Sequence, residues 1–144
     1  MGTPGEINDY AEDVTVDSSD NIYVTGYTWG SLDGHTNSGI LDLFLVKYNS
    51  SGTKQWTQQL GTSSADRGRN VTVDSSNNIY VMGNTNGGLD GNTQVWNGDF
   101  FLVKYNSSGT KQWTQQMGTS SRDYGNGVAV DSSDNIYITG DTSG

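Results

Sequence analysis

The sequence predicts an all-β protein assembled from repeated four-stranded antiparallel units. Three segments of the 144-residue chain read almost alike: VTVDSSDNIYVTGYTWG, VTVDSSNNIYVMGNTNG and VAVDSSDNIYITGDTSG. They begin at Val14, Val71 and Val128, so the repeat is 57 residues long. Apolar and polar residues alternate with a period of two, and no segment has a helical period. A repeat of this length is typical of stacked units that bury their apolar faces against each other.

The repeat sets the predicted domain boundaries. We expect a lead-in over residues 1–13 that is homologous to the connection between successive units. Complete repeats follow over 14–70 and 71–127, and residues 128–144 form a half repeat with two strands. The two complete copies are identical at 40 of 57 positions, so we expect nearly the same structure in each.

Each complete repeat is predicted to contain four strands, A to D. In the first repeat, strands A (14–17) and B (22–28) alternate in polarity and are joined by the polar turn SSDN. Strand C (43–49) begins with four apolar residues, as expected for a strand that is covered on both faces. Gly52 suits the left-handed conformation of the turn that follows, and strand D covers 54–60.

Several large side chains are predicted to form the cores of these units. Trp56 and Trp113 occupy the same place in strand D of the two copies, and we expect both to be largely buried. The other side chains that we expect in the same cores are Phe44, Val46, Phe101 and Val103.

Four-stranded units of this length, stacked in series, are typical of β-propeller blades. The patterns VxVDSSxNIYVTGxT and DxFLVKYNSSGTKQW, in this order, resemble the bacterial β-propeller repeat family known as SBBP, from Asp9 onward. The resemblance implies a propeller fold and an extracellular or cell-surface location in a bacterium. It implies no reaction, because the family has no shared catalytic residues.

The number of blades predicts self-association. The chain holds about two and a half blades, whereas closed propellers typically have about four to eight. Open sheet faces and edges promote association. We therefore expect a homo-oligomer that completes the ring, with the hairpin of residues 128–144 pairing with another chain or capping an edge. The alternative, a piece cut from a longer array, stays open.

The composition argues against several classes of partner. Seven basic and sixteen acidic residues give a net charge of −9 and a pI near 4.1, and such a surface repels nucleic acid and anionic lipid. No apolar run approaches the roughly 18 residues that span a bilayer. The first residues, MGTPGEIND, lack the basic start and apolar stretch of a signal peptide. We expect no nucleic acid partner and no membrane insertion.

The two copies differ mainly in two connections. Of 17 differences, eight lie in the B–C connection (29–41 against 86–98), and five lie in the segment through the D–A connection (60–70 against 117–127). Both connections emerge at one end of an antiparallel blade, and the nearly unchanged A–B and C–D turns emerge at the other. Loops on a rigid scaffold often bind ligands, although long loops also vary because little constrains them.

The variable face supplies the candidate ligand-binding residues. Each B–C loop keeps Leu-Asp-Gly and adds one tryptophan, and an aromatic ring beside carboxylates and amides suits a sugar. A tryptophan in such a loop can also serve as a lid over the blade core, and the sequence leaves both roles open. The candidates are Trp29, Asp33, His35, Asp90, Asn92 and Trp96, with Arg67, Arg122 and Tyr124 nearby.

Catalytic and metal-binding patterns are weak. His35 is the single histidine and becomes Asn92 in the second copy, and glutamate occurs only at Glu6 and Glu12. The Asp-Ser-Ser-Asp-Asn segments lack the central glycine and closing glutamate of an EF-hand loop, so we interpret them as structural turns. We expect neither a metal site nor a cofactor.

The sequence therefore predicts a non-catalytic, lectin-like β-propeller repeat module that acts as a binding or structural scaffold. Its expected partners are carbohydrate, a surface protein and further copies of itself. The alternative is a fragment of a larger propeller enzyme, such as a glycan-active hydrolase or lyase, with catalytic residues outside this chain. The similarity of the copies favours the scaffold, because an active site usually breaks the symmetry of a repeat at one blade.

Overall fold

The computed structural model describes residues 8–96 and 98–143 and contains three antiparallel sheets. The first sheet has β1 (Asp9–Val16), β2 (Ile22–Thr28), β3 (Asp42–Tyr48) and β4 (Lys54–Leu60). The second has β5 (Asp66–Val73), β6 (Ile79–Thr85), β7 (Asp99–Tyr105) and β8 (Lys111–Met117). The third has β9 (Asp123–Val130) and β10 (Ile136–Thr142). The prediction of four-stranded, all-β blades, about two and a half in number, is confirmed.

The first strand of each sheet packs on the sheet before it. β5 contacts β1, β2 and β3, and β9 contacts β5, β6 and β7 in the same way. β4 and β8 lie at the far edge of their sheets. This is the arrangement of successive propeller blades, in which β1, β5 and β9 are the innermost strands. The single helical segment of the described residues is a 3-10 turn at Leu89–Gly91.

Two apolar cores lie between blades, and a third lies within the first blade, where Leu32, Phe44 and Val46 are buried. Tyr23 and Leu45 of the first blade pack with Phe101 of the second blade in one core. On its other face, the second blade packs Tyr80 against Val128 of β9. Neighbouring residues of a strand point to opposite faces, and neighbours on both sides bury both faces of the second sheet. The central strand β7 is therefore apolar on both faces, and the second face of β3 packs with Leu32 of its own blade.

The strand D tryptophans are half-buried and do not share a core with their predicted companions. Trp56 packs beside Tyr23, toward the second blade, whereas Phe44 and Val46 are fully buried on the opposite face of the first blade. The register explains the difference, because Trp56 pairs with Lys47 of β3 and directly opposed residues share a face. Trp113 is separated in the same way from Phe101 and Val103, whose predicted burial is correct.

The innermost strands begin earlier than the sequence pattern predicts. β1 starts at Asp9 rather than at Val14, so the predicted lead-in over residues 1–13 contributes residues 9–13 to the first blade. Residues 1–7 lie outside the described part of the chain. The extension DYAED has no apolar alternation, and its strand conformation comes from pairing with the end of β2, where Asp9 opposes Thr28.

Each A–B turn is organised by one aspartate. Asp74 accepts hydrogen bonds from the backbone N–H groups of Ser76 and Asn78 and from the Tyr80 hydroxyl, at 2.8–3.0 Å. Burial opposes the charge of Asp74, but these bonds and one from the Asn78 amide outweigh it and lower its pKa. The equivalent turns are held by Asp17 and Asp131, in agreement with a structural role.

Candidate binding site on the innermost strands

Each innermost strand contains a β-bulge near its start. In β1 the pairing moves from Ala11 directly to Asp13, so Glu12 has no opposing residue in β2. Arg69 of β5 and Asn126 of β9 are the equivalent extra residues. Bulges often re-aim a side chain next to a functional site. Here one bulge, repeated three times, presents three different polar side chains.

Glycines opposite the bulges make this geometry possible. A Cβ atom at Gly83 would lie 1.8 Å from the carbonyl oxygen of Arg67, and one at Gly26 would lie 1.8 Å from that of Tyr10. Such distances exclude any side chain, so only glycine allows the strands to approach. The bulge is therefore encoded in the repeat itself.

The start of each innermost strand is fastened to the end of strand B. Oδ1 of Asp9 accepts a hydrogen bond of 2.5 Å from the Thr28 hydroxyl, and Asp66 accepts one from Thr85. Burial raises the pKa of Asp66, although hydrogen bonds from Thr85 and Thr62 oppose the shift. These contacts fix the backbone just before each bulge, so the bulge side chains project from a rigid base.

The bulge side chains line a polar cavity of about 310 Å³, which Asn84 and Tyr124 help to enclose. Arg69 donates a hydrogen bond to Glu12, with 2.8 Å between Nη1 and Oε1. The buried Asn84 amide donates to the carbonyl oxygen of Asp123 at 3.1 Å. Guanidinium, carboxylate and amide groups together provide both donors and acceptors. The cavity is suited to a small, hydroxyl-rich or charged ligand.

An aromatic cluster adjoins the cavity. Tyr10 and Tyr27 are cross-strand partners with stacked rings, 5.4 Å between centroids, and Trp29 meets both rings edge-on at 5.7 and 5.4 Å. Arg67 and Arg69 lie over Tyr27, with Cζ 5.6 and 5.7 Å from the ring centroid. Tyr10 is 48% exposed and Trp29 is 40% exposed. Aromatic surface therefore remains available to a ligand.

Cavity and aromatic cluster are contiguous, because Arg69 belongs to both. We call them together the inner-strand site. Its residues are Tyr10, Glu12, Tyr27, Trp29, Arg67, Arg69, Asn84, Tyr124 and Asn126.

The inner-strand site falls at positions where the copies differ. The aspartate and threonine that fasten each strand recur in all three copies, whereas positions 10, 12 and 27 and their equivalents change. A constant framework that carries variable side chains is typical of a binding surface. Equivalent positions hold Tyr10, Arg67 and Tyr124; Glu12, Arg69 and Asn126; and Tyr27, Asn84 and Asp141.

Part of the predicted ligand-binding set lies here. Trp29, Arg67 and Tyr124 belong to the inner-strand site, and Arg122 lies over the Tyr124 ring at 5.4 Å. Sequence reasoning missed the remaining members of the site. Their signal was a comparison of residues 9–13 with the same positions of the later copies, which a lead-in over 1–13 conceals.

Other predicted residues instead fasten the B–C loops to the outermost strand. Asp33 pairs with Lys54 at 2.5 Å and accepts a hydrogen bond from the Thr57 hydroxyl at 2.5 Å, and Nε2 of His35 lies 2.9 Å from the Thr57 carbonyl oxygen. The hydrogen bond from Lys54 lowers the pKa of Asp33. Asp90 and Asn92 repeat these contacts in the second blade, with Lys111 and Thr114.

Trp96 is exposed on the second B–C loop and belongs to no aromatic pair of the described residues. Its loop is held by Asp99, whose carboxylate accepts backbone hydrogen bonds from Val95 at 2.9 Å and Trp96 at 3.4 Å. The two loop tryptophans therefore have different surroundings, since Trp29 alone joins the inner-strand site. A ligand contact at Trp96 stays a prediction.

Two further features are absent from residues 8–96 and 98–143. No group of three or more histidine, aspartate or glutamate side chains there is arranged to hold a metal ion. No helix in the same residues has the length and apolar character needed to cross a membrane.

The chain matches a known repeat family. The model of the SBBP β-propeller repeat matches residues 5–33, 55–90 and 112–144. The chain is 27% identical, over 88% of its length, to the uncharacterized WD repeat-containing protein L264 of Acanthamoeba polyphaga mimivirus. It is also 27% identical, over 94% of its length, to the regulatory protein FlaEY of Caulobacter vibrioides. The chain spans 12% and 16% of the lengths of these two proteins. Because the repeat model covers more than half of the residues and recurs in all three copies, the chain belongs to the SBBP β-propeller repeat family.

Proposed function

We propose that this repeat scaffold is non-catalytic and binds carbohydrate at the inner-strand site. The proposal depends on one observation, the aromatic cluster of Tyr10, Tyr27 and Trp29 beside a polar cavity, in which Tyr10 and Trp29 are exposed. Sugar rings stack their C–H faces on aromatic side chains, while their hydroxyls take hydrogen bonds from nearby polar groups. Both kinds of surface occur together here.

The polar groups of the cavity are already oriented. The Asn126 amide donates to Asp141 at 2.7 Å, and Arg69 is held by Glu12. Groups that are fixed before binding lose less conformational entropy when the ligand arrives. The cavity is thus suited to a soluble oligosaccharide of modest size.

The Trp29→Ala variant is expected to weaken carbohydrate binding about tenfold, because aromatic stacking and the associated apolar burial are lost. Isothermal titration calorimetry with maltotriose, cellotriose, xylotriose and trigalacturonic acid measures the effect. The matched control is Ser18→Ala, in an A–B turn at the opposite end of the blade. Loss of binding in the Ser18 variant but not in the Trp29 variant would place the ligand on the opposite end of the blade and contradict the proposal. The proposal would also be refuted if none of the four sugars bound.

A second part of the proposal is that association of chains completes a propeller. Val14 of β1 is 58% exposed, whereas Val71 at the same repeat position of β5 is 4% exposed, because the first blade covers it. Tyr137 of β10 is 57% exposed, whereas its equivalent Tyr80 is 2% exposed. These open faces have the shape that another blade of the same repeat covers within the chain.

Light scattering over a wide concentration range tests the association. We expect the mean mass to rise with concentration, and the Val14→Glu variant to remain closer to the monomer because a charge would be buried at the contact. Ser18→Glu adds the same charge on a turn and is the control. A monomer mass that is independent of concentration would contradict this part of the proposal.

A further inference from the structure

The arginines of the chain are concentrated at the innermost strands. Arg67 and Arg69 lie over Tyr27, and Arg122 lies over Tyr124. Each occupies a position at which the other copies have a different residue. The blade repeat itself therefore does not require an arginine at any of these places.

The lysines, in contrast to the arginines, each occur at the same place in both complete copies. One pair fastens the B–C loops through ion pairs, and the other lies over a buried tyrosine. These contacts give the lysines structural roles. The residues are Lys54 and Lys111 in the first pair and Lys47 and Lys104 in the second.

Arg67 carries a charge that no described carboxylate neutralises. It is half-buried over the Tyr27 ring, and the ion pairs of the described residues are Lys54–Asp33, Arg69–Glu12 and Lys111–Asp90. A guanidinium group keeps its charge at any physiological pH, and the ring beneath it restrains its plane. A half-buried cation of this kind is best satisfied by an anionic group of the ligand.

We propose that this group is the carboxylate of an acidic sugar, a uronate. The proposal rests on the carbohydrate-binding function above and specifies the class of sugar. A guanidinium binds a carboxylate through two parallel hydrogen bonds, and Tyr10 and Trp29 offer aromatic surface in the same cluster. A uronic acid places a carboxylate and a stackable pyranose ring on one residue. The net charge of −9 opposes every anionic ligand at long range, so the affinity for the acid depends on the local charge of Arg67.

Arg69 lies in the same site but is a weaker candidate for binding the carboxylate of the ligand. Its guanidinium already has Glu12 as a partner at 2.8 Å, so a ligand carboxylate there would have to compete with that ion pair. Arg67 has no such competitor among the described residues. The first carboxylate of the ligand is therefore assigned to Arg67.

The test compares trigalacturonic acid with its methyl ester, which keeps the sugar rings and removes the charge. By calorimetry, the acid is expected to bind about tenfold more tightly than the ester, as a charge-assisted hydrogen bond predicts. Arg67→Gln should lower the affinity for the acid to that for the ester and leave the ester unaffected. Arg67→Tyr copies the residue of the other two repeats and provides a second variant whose folding is supported by those copies. Lys47→Gln removes the same charge outside the site and should change neither affinity.

The alternative outcomes are distinguishable. Equal affinity for acid and ester, both weakened by Trp29→Ala, would overturn the uronate assignment and leave carbohydrate binding intact. Binding of dextran sulfate without binding of trigalacturonic acid would also overturn it and indicate sulfate esters. Equal losses in the Arg67 and Lys47 variants would show that the acid responds to the overall charge of the chain rather than to Arg67, and would overturn the assignment. If no sugar in either panel bound, the carbohydrate-binding function would fail as well.

Discussion

Replacing Tyr80 with alanine is expected to lower the free energy of unfolding by about 3–5 kcal/mol. Tyr80 is fully buried between the second blade and β9, where it packs near Met82 and Val128. Its hydroxyl also donates to Asp74, which organises the A–B turn. The substitution therefore creates a cavity and removes a hydrogen-bond donor at once. Urea denaturation, with midpoint and slope measured separately, checks the loss.

Tyr137 is the matched control, because it occupies the same repeat position as Tyr80 but is exposed on β10. Its hydroxyl donates to Asp131 at 3.1 Å, as the hydroxyl of Tyr80 does to Asp74. Tyr137→Ala, measured at low protein concentration, should cost less than about 1 kcal/mol, as surface substitutions usually do. Equal losses at the two positions would contradict the packing of β9 and β10 against the second blade on one face only.

Gly83→Ala is expected to destabilise the chain by about 1–3 kcal/mol or more and to abolish ligand binding at the inner-strand site. The new Cβ atom would lie 1.8 Å from the carbonyl oxygen of Arg67 and 2.8 Å from the Phe101 ring. The backbone of β5 would have to move, and Arg67 and Arg69 would move with it. Thermal unfolding and calorimetric titration of the same sample measure the two effects.

Gly127→Ala is the control for this substitution, since it also lies on an innermost strand. The nearest atom to its added Cβ would be Oγ1 of Thr139 at 3.3 Å, a contact that a small rotation relieves. Glycine-to-alanine changes without strain stabilise the folded protein by about 0.4–1 kcal/mol, because they lower the conformational entropy of the unfolded chain. Opposite signs at positions 83 and 127 are therefore expected, and a neutral Gly83→Ala would contradict the bulge geometry.

The alternation of polarity predicts most strands to within a residue. β2 and β4 have the predicted bounds, and β3 begins one residue earlier than predicted. The start of β1 escapes the pattern because residues 9–13 are polar and take part in a bulge. Strand formation there depends on pairing with β2, and local periodicity in the sequence does not reveal this pairing.

The alternation of polarity also does not predict on which face of the sheet Trp56 lies. Strand D contains a bulge between the residues opposite Lys47 and Tyr48, and one added residue exchanges the faces of all side chains beyond it. The repeat comparison shows that Trp56 and Trp113 are equivalent, but equivalence does not reveal which neighbour each of them packs against.

Only some residues of the candidate site could be predicted, because their contacts involve residues that are distant in the sequence. Loop aspartates such as Asp33 and Asp90 look suited to a ligand, yet their partners Lys54 and Lys111 lie 21 residues further along the chain. Constant residues in a variable loop indicate anchoring, and this signal was available in the sequence. The sequence does not show that Glu12, Arg69 and Asn126 lie close together, because this requires three bulges to face one cavity.

The central claim is that ligand binds at the bulges of the innermost strands. An NMR titration of the ¹⁵N-labelled chain with trigalacturonic acid tests it most directly, since each amide reports its own surroundings. We expect the largest amide shifts in residues 9–13, 66–70 and 123–127 and at Trp29. Shifts confined to the B–C loops around residues 33–35 and 90–96, or to the A–B and C–D turns, would contradict it.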